Sequence, residues 1–160
     1  MSVKLSIVED NTDFRESLVR MLNQATGFKC LHAYPSAEEA LKGIPAAPPD
    51  VVLMDINLPG MNGVECVRQL HTLVPKVRVI MLTVHENTEN IYSALKAGAT
   101  GYLLKRTSPA KLLEAIQDVV EGGAPMSSAI ARKVVQSFQA ASPAQTTPPT
   151  AEPVEGLSAR

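Results

Sequence analysis

Short apolar stretches of strand length alternate along this chain with stretches in which apolar residues recur at helical spacing. Each apolar stretch is followed by one helical pattern, so the chain reads as a series of βα pairs. A near-continuous apolar run such as Val51–Met54 is typical of a strand that is buried on both faces. The predicted strands are Val3–Val8, Phe28–Ala33, Val51–Met54, Val77–Leu82 and Gly101–Leu104.

Helix capping signals separate these strands. Ser36 and Glu39 form a capping box, and the short helix that they open is expected to end near Gly43. Asn62 and Glu65 repeat the signal for a third helix. The first helix is predicted from an apolar face formed by Phe14, Leu18, Met21 and Leu22. The fourth is predicted to run from Asn87 to Ala97, and the fifth to begin at Ser108 and Pro109.

Strict βα alternation predicts an α/β fold in which helices cover both faces of a parallel sheet. A closed barrel of this kind needs eight units. The shorter series favours an open, flavodoxin-like (βα)5 doubly wound parallel sheet with strand order 2-1-3-4-5. Strands 1 and 3 are then neighbours, and ligands bind at the carboxyl ends of the strands at this position.

The sequence changes character twice after the last βα pair. An additional helix is predicted near residues 127–138, with Ile130, Val134, Val135 and Phe138 as its apolar stripe. The stretch that follows is rich in Pro, Ala and Thr, which is a linker composition. The predicted organisation is a domain at 1–122, the additional C-terminal helix at 123–139 and the linker at 140–156.

Composition excludes several classes of protein. The net charge of −1, from 15 basic and 16 acidic residues, lacks the basic surplus of a nucleic-acid-binding domain. The two cysteines, Cys30 and Cys66, have no metal-ligand spacing and suit a reducing compartment. No signal-peptide pattern and no apolar run of membrane-spanning length is present. We therefore expect a cytoplasmic protein without a membrane partner.

Three carboxylates follow the ends of predicted strands 1 and 3. Glu9, Asp10 and Asp55 would meet at one edge of the sheet, where carboxylates about 4 Å apart repel by about 4 kcal/mol per pair. A divalent cation offsets this repulsion, and an all-oxygen ligand set favours Mg2+. An aspartate beside such an ion can attack a phosphoryl group. Thr83 and Lys105, at the ends of strands 4 and 5, would supply a hydroxyl and a positive charge.

Each of these residues also has a simpler explanation when it is considered alone. The acids could be solvated turn residues, Thr83 a β-former, Lys105 a surface charge and Tyr102 part of the core alternation. The joint occurrence of acid, acid, hydroxyl and amine at the ends of four strands is what predicts a site.

These residues and the motifs around them resemble the receiver domain of bacterial two-component response regulators. The motifs are Glu9-Asp10, Asp55 with Leu58-Pro59-Gly60-Met61-Asn62-Gly63, Thr83, and Ala97-Gly98-Ala99-Thr100-Gly101-Tyr102-Leu103-Leu104-Lys105. The sequence of the last motif is most similar to that of the LuxR/NarL/FixJ-type subfamily. Residues 157–160 resemble the start of its C-terminal helix-turn-helix domain, so the chain is expected to be a fragment that lacks this output domain.

The resemblance implies a phosphorelay in which a sensor histidine kinase donates a phosphoryl group to Asp55. It also implies direct Mg2+ binding by Asp10 and Asp55, with Glu9 binding through water and Asn57 through its backbone carbonyl. Lys105 would pair with the phosphoryl oxygens. Phosphorylation and dephosphorylation would be self-catalysed, with no turnover of a separate substrate, so the chain is not expected to be an enzyme in the usual sense.

The resemblance further implies a switch. Thr83 would move to hydrogen-bond the phosphoryl group and Tyr102 would rotate inward behind it, because added charge and acceptors bias a two-state loop. The switch would promote homodimerisation or release of the output domain. DNA binding would occur only through that missing domain.

Departures from the commonest family pattern fall next to the predicted site. Val84 stands where a small residue is usual and would narrow phosphate access, while Asn57 and His85 occupy positions that tune phosphate lifetime in the family. Arg106 follows Lys105 where many receivers have proline. A non-proline cis peptide costs about 3 kcal/mol, so this bond is expected to be trans.

Three alternative functions fit part of this pattern, and the sequence holds a feature against each of them. A Mg2+-dependent phosphohydrolase of the haloacid dehalogenase type also uses a strand-end aspartate, but it needs a second aspartate where Asn57 stands. A receiver that acts as a phosphorylation-independent interaction module would not require the complete set of site residues. A flavodoxin would need a glycine- and hydroxyl-rich phosphate loop after strand 1, which this sequence lacks.

Overall fold

A parallel sheet of five strands lies at the centre of the structure, a computed structural model that describes residues 2–84, 88–128 and 130–136. The strands are β1 (Val3–Val8), β2 (Phe28–Tyr34), β3 (Val51–Asp55), β4 (Arg78–Thr83) and β5 (Gly101–Leu104). Their order is β2-β1-β3-β4-β5, and every pairing is parallel. The predicted fold class and strand order are therefore confirmed.

The helices between the strands begin at residues whose side chains cap them. They are α1 (Thr12–Gln24), α2 (Ala37–Ala46), α3 (Gly63–Leu73), α4 (Thr88–Ala97) and α5 (Pro109–Val120). The side chains of Ser36, Asn62 and Ser108 each accept a hydrogen bond from the backbone N–H three residues ahead. These bonds satisfy N–H groups that have no partner inside the helix.

The prediction that α2 ends near Gly43 is wrong, because the helix continues to Ala46 and includes Pro45. Gly43 serves packing rather than helix termination. A Cβ atom at this position would overlap the outer end of the Tyr34 ring, so a larger residue would require this ring to move.

Two apolar cores lie on opposite faces of the sheet. One is formed with α2, α3 and α4, and the other with α1 and α5. All five residues of β3 are buried, as expected for the central strand of a doubly covered sheet. Among the described residues, no helix is both long enough and apolar enough to cross a membrane.

The chain continues past α5 along the outer edge of β5. Residues 128 and 130–136 are helical, in agreement with the predicted additional helix. Ile130 is fully buried and Val134 packs against the same core, but Val135 is 53% exposed. The predicted stripe is wrong at Val135 because five positions after Ile130 fall on the other side of a helix with 3.6 residues per turn. Phe138, the linker at 140–156 and residues 157–160 lie outside the described residues.

Gly63 sets how closely α3 approaches the end of β3. Its N–H donates to the carbonyl of Ile56 at 3.1 Å, and a Cβ atom would overlap the carbonyl oxygen of Asp55 and lie 2.9 Å from the Cα of Ile56. The first turn of α3 is therefore packed directly on the backbone of a predicted site residue.

We expect Gly63→Ala to destabilise the protein by about 1–3 kcal/mol, because the new methyl group overpacks a backbone contact that cannot move without distorting β3. Urea denaturation monitored by circular dichroism measures this difference. Thr72→Ala on the exposed face of α3 is the matched control and should stay within about 0.5 kcal/mol of the unsubstituted protein. Equal midpoints for the two variants would contradict the packing argument.

Candidate functional site

Two neighbouring strands deliver carboxylates to one edge of the sheet. Val8 of β1 pairs with Met54 of β3, so Glu9 and Asp55, the next residue of each chain segment, lie side by side. One side-chain oxygen from each of Glu9, Asp10 and Asp55 lies within 4.8 Å of the others. Glu9 and Asp55 are buried, whereas Asp10 is exposed. The structure thus brings the three predicted carboxylates together.

Lys105 places its charge between the two buried acids. Its Nζ lies 2.7 Å from Oε1 of Glu9 and 3.3 Å from Oδ2 of Asp55. The backbone N–H of Lys105 donates to the carbonyl of Thr83 at 2.7 Å, which fixes the residue beside the end of β4. Burial lowers the pKa of Lys105, but its hydrogen bond with Glu9 and the two negative charges outweigh this, and the pKa is raised. Lys105 is therefore held as a cation.

The surroundings of the Asp55 carboxyl group raise its pKa. Burial, and then the negative charge of Glu9, raise the pKa of Asp55 to about 6, while Lys105 and the N–H of Asn57 oppose the rise. The Asn57 N–H donates to Oδ1 of Asp55 at 3.2 Å. At neutral pH most Asp55 side chains are ionised. Lys105 and the N–H of Asn57 do not fully offset the cost of burying this charge beside Glu9, so a bound cation or a phosphoryl group would stabilise the site.

Thr83 and Tyr102 connect this edge of the sheet to the core. Both side chains are buried: Thr83 is the last residue of β4, and Tyr102, in β5, is fully buried. Burial raises the pKa of Tyr102 to about 12, and the nearby Thr83 side chain opposes this rise. Among the described residues the buried Tyr102 hydroxyl has no hydrogen-bond partner. The tyrosine ring thus occupies the inward position next to the hydroxyl of Thr83.

The other predicted residues lie at the rim. Val84 follows Thr83 and is 56% exposed, and Asn57 is also exposed. His85 lies outside the described residues. No cis peptide bond occurs in the described parts of the chain, so the expectation of a trans bond between Lys105 and Arg106 is confirmed.

Some residues that support the site were not predicted from the sequence. A guanidinium nitrogen of Arg15 donates to the backbone carbonyl of Glu9 at 2.7 Å, and the ring of Phe14 lies 4.9 Å from Nζ of Lys105. Their place in the first turn of α1, just after the strand-end acids, was the available signal. Glu38 has no such signal, because its carboxylate reaches across from α2 to accept the N–H of Met61 at 3.1 Å.

The geometry agrees with comparisons with known proteins. The family described as "Response regulator receiver domain" matches residues 5–117, which is more than half of the chain. The chain belongs to the response regulator receiver family. This membership favours neither the phosphohydrolase nor the phosphorylation-independent interaction module.

Relatives of this receiver include transcription regulators. The chain is 34% identical over 137 residues to "Transcriptional regulatory protein DegU" of Brevibacillus brevis, covering 86% of this chain and 58% of the relative. It is 35% identical to "Response regulator GacA" of Pseudomonas syringae pv. syringae (strain B728a), covering 86% and 64%. The chain thus spans about three fifths of the length of these curated relatives.

Solved receiver structures superimpose closely on this one. A two-component response regulator of the LuxR family from Aurantimonas sp. SI85-9A1 is 29% identical, with a TM-score of 0.82, and 87% of this chain and 99% of that chain are covered. The receiver domain of the putative response regulator NarL from Mycobacterium tuberculosis is 30% identical, with a TM-score of 0.72, and covers 76% of this chain and 98% of its own. The receiver therefore has LuxR- and NarL-type relatives in both sequence and structure.

Proposed function

We propose that Asp55 accepts a phosphoryl group from the phosphohistidine of a sensor histidine kinase and that the domain relays this event to an output domain. The observation that carries the proposal is the position of Asp55, a buried carboxylate 3.3 Å from Nζ of Lys105 and grouped with Glu9 and Asp10. Membership of the receiver family supports the same reaction class.

The chemistry follows from the protonation states of the two central groups. An oxygen of the ionised Asp55 attacks phosphorus, the phosphorus–nitrogen bond of phosphohistidine breaks, and its electron pair returns to the imidazole. The product is an acyl phosphate on Asp55. Lys105, held as a cation, pairs with a phosphoryl oxygen and stabilises charge in the transition state. Hydrolysis of the same acyl phosphate resets the domain, so no separate substrate is turned over.

A divalent cation fits the same group of oxygens. Asp10 and Asp55 would bind Mg2+ directly, Glu9 through water, and Asn57 through its backbone carbonyl. The three carboxylates lie within 4.8 Å of one another, and they supply the hard oxygen ligands that Mg2+ prefers. When bound, Mg2+ would neutralise the acids and the incoming phosphoryl oxygens.

Thr83 and Tyr102 are the proposed switch residues. A phosphoryl group on Asp55 offers acceptors to the hydroxyl of Thr83, which lies at the end of the neighbouring strand. Movement of Thr83 changes the surroundings of the buried Tyr102 hydroxyl. We propose that this change is passed to a helix-turn-helix domain, which would bind DNA, and that it promotes homodimerisation. A cytoplasmic location follows from the proposed partner kinase domain.

Intact-mass measurement after incubation with Mg2+ and acetyl phosphate tests the proposal. We expect the addition of a single phosphoryl group, which is absent from Asp55→Ala and retained in Asp50→Ala, a substitution of an exposed acid outside the site. Absence of the adduct from the unsubstituted protein, or its persistence in Asp55→Ala, would sink the proposal. Continuous hydrolysis of unrelated phosphomonoesters would instead support an enzyme.

Val84 is expected to limit how fast small donors reach Asp55. Its side chain follows Thr83 at the rim and bears two methyl groups where a small residue would leave the approach open. We expect Val84→Ala to be labelled severalfold faster by acetyl phosphate, measured by the time course of the intact mass. Val135→Ala, an equally exposed valine outside the site, should show the rate of the unsubstituted protein, and equal rates for all three would refute this role.

A further inference from the structure

Residues 124–128 and 130–136, here called the C-terminal segment, dock on the outer edge of β5. The N–H of Tyr102 donates to the carbonyl of Pro125 at 3.0 Å, and the N–H of Ser127 donates to the carbonyl of Tyr102 at 3.3 Å. The N–H of Leu104 donates to the hydroxyl of Ser127 at 3.2 Å. The segment therefore satisfies backbone groups that the edge strand would otherwise leave unpaired.

The same segment closes one of the two apolar cores. Ile130 is fully buried, and Val134 and Met126 pack against the core that contains Tyr102. The absence of a side chain at Gly101 allows this close contact. A Cβ atom there would lie 2.9 Å from the carbonyl oxygen of Pro125 and 3.0 Å from its Cγ. The family match ends at residue 117, so it does not account for these contacts.

Tyr102 is shared between the site and the C-terminal segment. Its buried hydroxyl lies near the Thr83 side chain without a hydrogen-bond partner of its own, while both of its backbone polar groups are bonded to the segment. A change in the position of Tyr102 must therefore alter the free energy of docking. By thermodynamic linkage, a change in docking alters the affinity of the site by the same factor.

We infer that docking of the C-terminal segment is coupled to occupancy of Asp55 through Tyr102. This inference rests on the proposed function, in which a phosphoryl group on Asp55 favours the inward tyrosine. The inward ring and the docked segment occur together in this structure, so occupancy of the site strengthens docking. The segment then transmits the state of Asp55 to the chain that follows it.

Hydrogen exchange with mass spectrometry measures docking through the exchange rates of the Tyr102 and Leu104 amides, which donate to the segment. In the unsubstituted protein, Mg2+ with beryllofluoride, a phosphoryl mimic, should slow exchange at these amides. Gly101→Ala should displace Pro125 and speed their exchange about tenfold. The same variant should bind beryllofluoride about fivefold more weakly, although it changes no side chain of the site. Val135→Ser, on the exposed side of the same helix, should match the unsubstituted protein in both measurements.

Two further variants keep the test valid if Gly101→Ala fails to fold. Ser127→Ala and Ile130→Ser weaken docking from outside the sheet and should shift exchange and affinity in the same direction. Faster exchange with unchanged beryllofluoride affinity would overturn the coupling and leave the proposed function intact. Failure of the unsubstituted protein to bind beryllofluoride or to gain a phosphoryl group would overturn the proposed function, and the coupling with it.

Discussion

Asp55→Asn is expected to stabilise the protein by about 3 kcal/mol at pH 8. The folded structure raises the pKa of Asp55 from its ordinary value of 3.8 to about 6, and each unit corresponds to about 1.4 kcal/mol. Asparagine is neutral, so it removes the cost of keeping a charge beside Glu9 in a buried site. It also keeps an oxygen that can accept from Lys105. The ionised phosphoacceptor is thus expected to lower the free energy of unfolding of its own domain.

The raised pKa of Asp55 also determines how the stability difference between the two proteins changes with pH. The folded protein holds the Asp55 proton more tightly than the unfolded chain, so stability falls as the pH rises from about 4 to about 6. The variant should therefore match the unsubstituted protein at pH 4 and exceed it increasingly up to pH 6, with a constant difference above that. Urea denaturation at each pH unit from 4 to 8 measures the effect.

A matched control separates this effect from removal of any negative charge. Asp118→Asn replaces an exposed acid on α5 and should change stability by less than about 0.5 kcal/mol throughout. Added Mg2+ should stabilise the unsubstituted protein more than Asp55→Asn, since it binds the ionised carboxylates. A pH-independent gain in Asp55→Asn would show that its cause is packing rather than charge.

Lys105→Met should strongly slow phosphorylation of Asp55. It removes the cation that lies 2.7 Å from Glu9 and 3.3 Å from Asp55, so two buried acids lose the ion pair that they share. We expect stability at pH 8 to fall by about 3 kcal/mol and labelling by acetyl phosphate to slow about 100-fold. Denaturation and the time course of the intact mass measure the two effects.

Arg106→Met is the control for Lys105→Met, because it removes the same charge from the adjacent, exposed position. It should label within about twofold of the unsubstituted protein, as expected for a screened surface charge. Mg2+ should restore part of the stability lost in Lys105→Met. If both variants label at the same reduced rate, the contribution of Lys105 is only to the net charge of the surface.

The fold could be predicted from the sequence because local and global signals agree. The apolar run of β3 is too short and too continuous for an amphipathic helix, and capping residues such as Ser36 and Asn62 mark the helix starts. The site residues could be proposed for a related reason. Parallel strands end at the same edge, so residues far apart in sequence, such as Glu9 and Lys105, are brought together by topology alone.

Features that depend on tertiary packing could not be predicted. Gly43 resembles a helix stop, but its role is set by the ring of Tyr34 on another element. The hydrogen bond from Met61 to Glu38 spans 23 positions and has no local pattern. The docking of Ile130 under a sheet edge could not be distinguished from a helix extending into solvent, because an apolar stripe does not identify its partner.

The pairing of residues 125–127 with β5 determines where this chain can be divided. A domain cut at residue 122, the boundary predicted from the sequence, would present Gly101–Leu104 as a bare edge strand with an apolar face beside it. Such an edge is a template for strand addition between molecules, which leads to aggregation. A shortened receiver intended for crystallisation or spectroscopy should therefore extend beyond Val134, so that the edge of the sheet is covered by its own chain.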